Sequence, residues 1–203
     1  MKSFMAMFML VFLAGCNVVV SPTPFGLKPV CLHSEHIIGT WENEGEEACR
    51  ITVHDQTKAL IDVSVNEAST PNQPKWRTVR AHLMCGNKWH FFSIPMAEDG
   101  SPKDGYLFAC YSFTLGRICV WMPDFQKFKK LVEAGTIPGR IEKGQIYLKE
   151  VTPKLIDMIE SEEHGLLFGW QRPFILQKKK EAEKLNNQIQ NIDTNAPHSD
   201  LER

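Results

Sequence analysis

The thiol of Cys16 stands directly behind an apolar run and two small residues, Ala14 and Gly15, which leave a nucleophile open to a modifying enzyme. Further on, "CLHSEH" gathers Cys31, His33, Glu35 and His36. Thiolate and imidazole donors this close suit zinc or copper. The stretch follows Pro22, Pro24, Gly26 and Pro29, so it reads as a linker without rigid ligand geometry, and no metal is assigned to it. Glu42, Glu44, Glu46 and Glu47 make the acidic stretch "ENEGEE", whose spacing lacks the alternating acids and glycine of a calcium loop; it reads as a solvated turn. His82 and His90 fall on neighbouring strands, facing opposite sides. Trp41, Trp76, Trp89, Trp121 and Trp170 suit either an aromatic-lined cavity for a small apolar ligand or a packed core. Trp41, His82 and Trp89 are the ligand-binding candidates. No serine elbow, glycine-rich phosphate loop, Cys-x-x-Cys or catalytic carboxylate pair is present, so no catalytic residue and no cofactor are assigned.

The start of the chain is more specific. Lys2 precedes an apolar run from Phe4 to Leu13, about ten residues, where a membrane-crossing helix needs about twenty. Small residues then lead into the cysteine, as at the end of a signal peptide. Leu13-Ala14-Gly15-Cys16 resembles the lipobox of bacterial lipoproteins. The resemblance implies cleavage before Cys16, a diacylglycerol on its thiol and acylation of the new amine. Two or more acyl chains hold a protein stably on a membrane, whereas one holds it marginally. Asn17 follows the lipid site in place of the aspartate that commonly retains such proteins in the inner membrane of enteric-type bacteria, which points toward the outer membrane.

The chain has 203 residues and a formal net charge of −1, with no basic stripe to bind nucleic acid. Residues 1–15 are read as signal peptide, 16–36 as a lipidated tether, 37–177 as one domain and 178–203 as a polar tail, helical at first and then disordered. Beyond Cys16 the cysteines are Cys31, Cys49, Cys85, Cys110 and Cys119, an odd set. One or two disulfides and a buried thiol are expected in an exported protein. Cys110 and Cys119 lie diagonally across one hairpin, a separation that strains a disulfide.

Within the domain, alternation predicts strands. Ile51 and Val53, then Ala59, Ile61, Val63 and Val65, recur at period two around the turn Asp55–Lys58. Gly86-Asn87 reads as a two-residue hairpin turn with Cys85 opposite Lys88, which places Val79, Ala81, Leu83, His90, Phe92 and Ile94 on one face. Leu115-Gly116 reads as another, with Leu107, Ala109, Tyr111, Phe113, Ile118, Val120 and Met122 facing one way. Lys143-Gly144 reads as a third. Helices are expected over Pro123–Ala134 and Pro153–His164, the second capped by Thr152, and "PFILQK" is a last strand. The fold class is mainly β: an antiparallel meander closed or nearly closed into a barrel, with two short helices inserted late.

Gly39-Thr40-Trp41 before that meander resembles the Gly-x-Trp of lipocalins, in which the tryptophan packs over the base of the barrel. The succession "GTW", "RAHLMCGNKWHFFSI", "YLFACYSF", "ICVWMPDFQKFKKLVEAG" and "TPKLIDMIESEE" resembles a group of bacterial lipoproteins with no assigned activity. Together these readings lead to the expectation of a lipid-anchored, non-catalytic binding or scaffolding protein of the cell envelope. Its expected partner is another envelope protein; the alternative is a carrier of a small hydrophobic ligand. The large inward residues Leu107, Tyr111, Phe113, Ile118, Val120, Phe92 and Ile94, with few Gly or Ala among them, predict a filled barrel.

Overall fold

The computed structural model describes residues 17–30, 37–43, 46–66, 76–97, 102–161, 163–164, 167–171 and 173–179. The lipobox, the "CLHSEH" cluster, Glu44 and the tail beyond residue 179 lie outside the described residues. In chain order the elements are β1 (Val19–Ser21), β2 (Lys28–Pro29), β3 (Gly39–Asn43), β4 (Glu46–Asp55), β5 (Leu60–Asn66), β6 (Trp76–Cys85), β7 (His90–Pro95), β8 (Tyr106–Thr114) and β9 (Arg117–Trp121). Then follow α1 (Phe125–Glu133), β10 (Gly139–Glu142), β11 (Gln145–Leu148), α2 (Pro153–Ser161) and β12 (Phe174–Lys178).

Strands β3 to β9 form an antiparallel meander, and β12 closes it by pairing with both β9 and β3. The result is a closed eight-stranded antiparallel barrel, consistent with a lipocalin-like one. Three more strands extend the wall: β1 pairs antiparallel with the first residues of β8, β11 parallel with β1, and β10 with β11.

Apolar residues on both faces of the central strands fill two cores. Inside the barrel lie Trp41, Cys49, Ile51, Ile61, Leu83, Tyr111, Ile118, Val120 and Leu176. Outside, Phe91, Phe108 and Cys110 pack against Phe128 of α1, Leu155, Ile156 and Ile159 of α2, and Phe168. The helices begin where capping chemistry dictates. Asp124 accepts from the N–H groups of Gln126 (3.1 Å) and Lys127 (3.3 Å), and the Thr152 hydroxyl accepts from Leu155 N–H (3.2 Å). Pro123, expected inside the first helix, instead forms a β-bridge with Phe168.

The expected turns at Leu115-Gly116 and Lys143-Gly144 form, and both are type I′, because both central residues take positive φ: Leu115 at 50° with Gly116 at 72°, and Lys143 at 49° with Gly144 at 77°. The left-handed conformation costs a side-chain-bearing residue about 1–2 kcal/mol.

The β6–β7 turn departs from expectation. Cys85 opposes His90, not Lys88, and Gly86 N–H donates to Trp89 C=O (2.8 Å), so the connection has four residues. The shift is by two, so the face assignments hold. Its cause is Glu160, 3% exposed at the end of α2. This carboxylate accepts from the N–H groups of Asn87, Lys88 and Trp89, each at 3.0 Å, and the wider turn turns these donors toward it. Asn87 also donates its side-chain amide to Asp157 (2.6 Å). A Cβ on Gly86 would stand 2.1 Å from Glu160 Oε1, so glycine is required there.

Two further expectations are corrected. Residues 17–30 are not a tether. Val19 and Val20 are buried in the sheet, and Phe25, fully buried, stacks on Phe108 at 3.9 Å while its N–H donates to Ser93 Oγ (2.9 Å). The apolar residues between the prolines are anchors. Nor do the described cysteines form disulfides: Cys49, Cys85, Cys110 and Cys119 are free thiols, and Cys31 lies outside the described residues. Cys110 faces Trp121 and Cys119 faces Ser112, the diagonal relation that a disulfide does not span unstrained.

Glu160→Gln should destabilise the protein by about 2–3 kcal/mol, since it loses charged-acceptor bonds to buried donors. Gly86→Ala should cost a comparable amount by expelling the same carboxylate. Urea unfolding of both variants checks this; wild-type midpoints would contradict it.

Candidate functional site

Trp41, on β3, is wholly buried inside the barrel. Its indole N–H donates to Ile37 C=O (2.8 Å), its ring meets Phe113 edge-on at 6.2 Å, and the Lys178 ammonium stands 5.8 Å from it. His82 lies on the outer face of β6, between Leu60 and Ser93 in register, with its ring perpendicular to Tyr106 at 5.4 Å. Trp89 lies outside the barrel, at the β6–β7 turn, against Trp170 (5.1 Å) and Phe168 (6.1 Å). One candidate is thus interior and two are exterior at different places, and they do not line one pocket.

The barrel interior is the first place where a lipocalin-like fold could hold a ligand. Four of its wall residues are small, Ala48, Ala59, Ala81 and Ala109, which corrects the expectation of few alanines. Three of them are closed off, with Ala59 and Ala109 0% exposed and Ala81 1%, whereas inward-facing Val63, Val65, Phe92, Ile94 and Phe113 are half-buried. Trp41, Tyr111 and their aliphatic neighbours occupy the space opposite. Burial, with the nearby Cys85 and Cys110 thiols second, raises the Tyr111 phenol well above its ordinary range and keeps it neutral.

Three arrangements escape a reading of the sequence. The first is the Glu160 cradle; its signal is an acid on the apolar stripe Leu155, Ile156, Ile159. The second is the cluster of Trp89, Trp121 and Trp170, with Trp121 and Trp170 4.6 Å apart and both of their indole nitrogens buried without a hydrogen-bond partner. The third is an open cleft of about 480 Å³ outside the barrel, bounded by Val20, Lys103, Asp104, Arg140 and Tyr147, with the Arg140 guanidinium over the Tyr147 ring at 4.6 Å. Its walls come from β1, β10, β11 and the β7–β8 loop, which only the extended sheet brings together.

Cys85 opposes His90 across β6–β7, but its thiol donates to Lys28 C=O (3.6 Å), and the His90 ring lies against Tyr111 at 5.6 Å. Burial pushes the Cys49 and Cys110 thiols up to about 12, with Glu47 and Glu160 respectively adding to the shift. Among the described residues, no three His, Cys, Asp or Glu side chains gather as metal donors.

Fold and interior thus define a class: a lipocalin-like β-barrel with a helical layer on one flank. Comparisons with protein-family models, curated proteins and solved structures found no match to this chain.

Two outcomes are expected. At about pH 8, native Cys49 and Cys110 should resist alkylation while half-buried Cys85 and Cys119 react, as peptide mass spectrometry would show; equal labelling would contradict the burial. Burial, and secondarily the Arg80 charge, holds His82 below its ordinary value of 6.5. The native state therefore binds fewer protons there than the unfolded chain, so this contribution to stability is present above that value and is lost as pH falls below it. His82→Gln should flatten the urea-midpoint profile between about pH 7 and about pH 5, and an unchanged slope would refute this role.

Proposed function

We propose that this protein is a lipid-anchored module of the bacterial cell envelope, which works by binding another envelope protein and performs no catalysis. The anchor reading rests on Leu13-Ala14-Gly15-Cys16, and the outer membrane is the favoured site because Asn17 follows. The observation that supports the binding mode is the close packing around Ala59, Ala81 and Ala109, which have essentially no accessible surface, so that part of the barrel has no room for a ligand.

The outer wall of β4–β6 supports a protein contact. There Arg50 lies over the Trp76 ring at 4.3 Å, and Asp62 joins His54 (3.0 Å) and Arg80 (3.4 Å). Arg and Trp are enriched among the residues that dominate protein interfaces. The second reading, a carrier of a small hydrophobic ligand, draws on the aromatic lining by Trp41, Phe92 and Phe113.

Growth with a clickable fatty acid should label the wild type and not Cys16→Ala; equal label in both would sink the anchor. Native mass spectrometry of the detergent-extracted chain should show no lipid beyond the covalent one. A co-purified lipid that is displaced by replacing Tyr111 would promote the carrier. A photoreactive residue at exposed Thr78 should trap an envelope protein in cells, and absence of any protein adduct would count against the scaffold.

A further inference from the structure

Leu115 is the most exposed large apolar side chain among the described residues, at 91%, and it holds a left-handed backbone at φ 50°. Asn, Asp and Gly suit that position of a type I′ turn; leucine is unfavourable there on both counts. The sister turn on β10–β11 has a polar residue, Lys143, in the same conformation. An apolar side chain kept in a strained and wet position suggests a contact that covers it.

Its surroundings indicate which. Alternation of the strands puts the β4–β5, β6–β7 and β8–β9 turns at one end of the barrel, where β12 also finishes with Lys178 N–H donating to Gly116 C=O (2.9 Å). At this end Leu27, 36% exposed, donates its N–H to Cys85 C=O (2.8 Å). Exposed Lys28 follows Leu27 in the chain, exposed Arg117 follows the Leu115-Gly116 turn, and exposed Lys88 lies on the β6–β7 turn, where its ammonium donates to Glu160 C=O (3.4 Å). Of the acids nearby, Asp55 pairs with Lys58 at 3.5 Å, Asp157 accepts from Asn87, Glu160 is buried in its cradle, and Glu163, just past α2, is exposed. Exposed leucines with Lys28 and Arg117 beside them in the chain match an anionic lipid surface.

The course of the chain agrees. Strand β1 runs antiparallel to β8, so the chain traced back from Val19 to exposed Asn17 heads toward the end where β8 finishes. Cys16 is the next residue, and three residue steps span at most about 11 Å, so it lies within that reach of Val19, whose neighbour Val20 stands opposite Leu107 near the start of β8. With no tether, an acyl group on Cys16 holds the barrel against the bilayer.

We propose that the turn end of the barrel, led by Leu115 and Leu27 with Lys28, Lys88 and Arg117, docks on the anionic lipid bilayer. The docking rests in part on the lipid anchor at Cys16, since that anchor holds the barrel close to the membrane and the chain leading to it heads toward this end.

The test uses the full chain, produced in cells and reconstituted in vesicles of phosphatidylethanolamine with phosphatidylglycerol. A photoreactive diazirine residue replaces Leu115, or, for comparison, Asp104 at the opposite end or Ile175 on the side wall. Lipid adducts at position 115 should exceed those at 104 and 175 at least fivefold. Leu115→Asn, which suits the turn, should raise Tm by a few degrees and, with the diazirine residue placed at Leu27, cut lipid adducts there at least threefold. Acylation is read on the same samples by clickable fatty acid. An acylated chain with no excess at position 115 overturns the docking and leaves the anchor standing. An unacylated chain that keeps the excess supports the docking and removes the anchor. Loss of both overturns both, and a protein adduct in place of lipid at position 115 in cells overturns the docking.

Discussion

One edge of β8 is shared between two strands, and the rest of the structure follows from that division. Cys110 to Thr114 pair with β9 and close the barrel, whereas Tyr106 and Leu107 pair with β1 and lead the sheet outward through β11 and β10. A closed barrel needs only an apolar interior. Here Phe91, Phe108 and Cys110 face outward and are as buried as the interior. They need a second layer, which the branch and the two helices supply.

The helical layer is held to the barrel by apolar packing and, among the described residues, by one buried charge. Ile156 and Ile159 are fully buried, which stabilises the contact without fixing its register. Glu160 adds direction. A carboxylate buried this deeply is tolerated only when its oxygens are satisfied, and the three turn N–H groups do this. Those donors would otherwise be the unsatisfied backbone of a wide turn. Helix and hairpin thus satisfy each other, and Gly86 makes the close approach possible.

The exterior is sorted by flank. The β4–β6 wall is polar and solvated, with its charges paired at the surface, where such pairs contribute little to stability and are free to serve recognition. The β7–β8 wall is covered by helices. The turn end combines exposed leucine with cations.

Much of this was legible from local pattern. Period-two alternation marked β4, β5, β8 and β9. Leu115-Gly116 and Lys143-Gly144 declared their turns because positive φ is a local demand, and Asp124 and Thr152 declared their helix starts because capping is local too. Trp41 of Gly39-Thr40-Trp41 packs inside the barrel, as the motif implies. Only the tertiary structure decided the rest. Phe25 looked like linker because its partners, Phe108 and Ser93, are far along the chain. Ala59, Ala81 and Ala109 share the interior through strand register. Glu160 reaches the β6–β7 turn across a separation no local window spans, and so altered its length. Trp41, His82 and Trp89 were grouped by residue type, but the side of the wall each faces is set by barrel closure. Local dihedral preferences can be read residue by residue, whereas burial is a property of what the folded chain brings together.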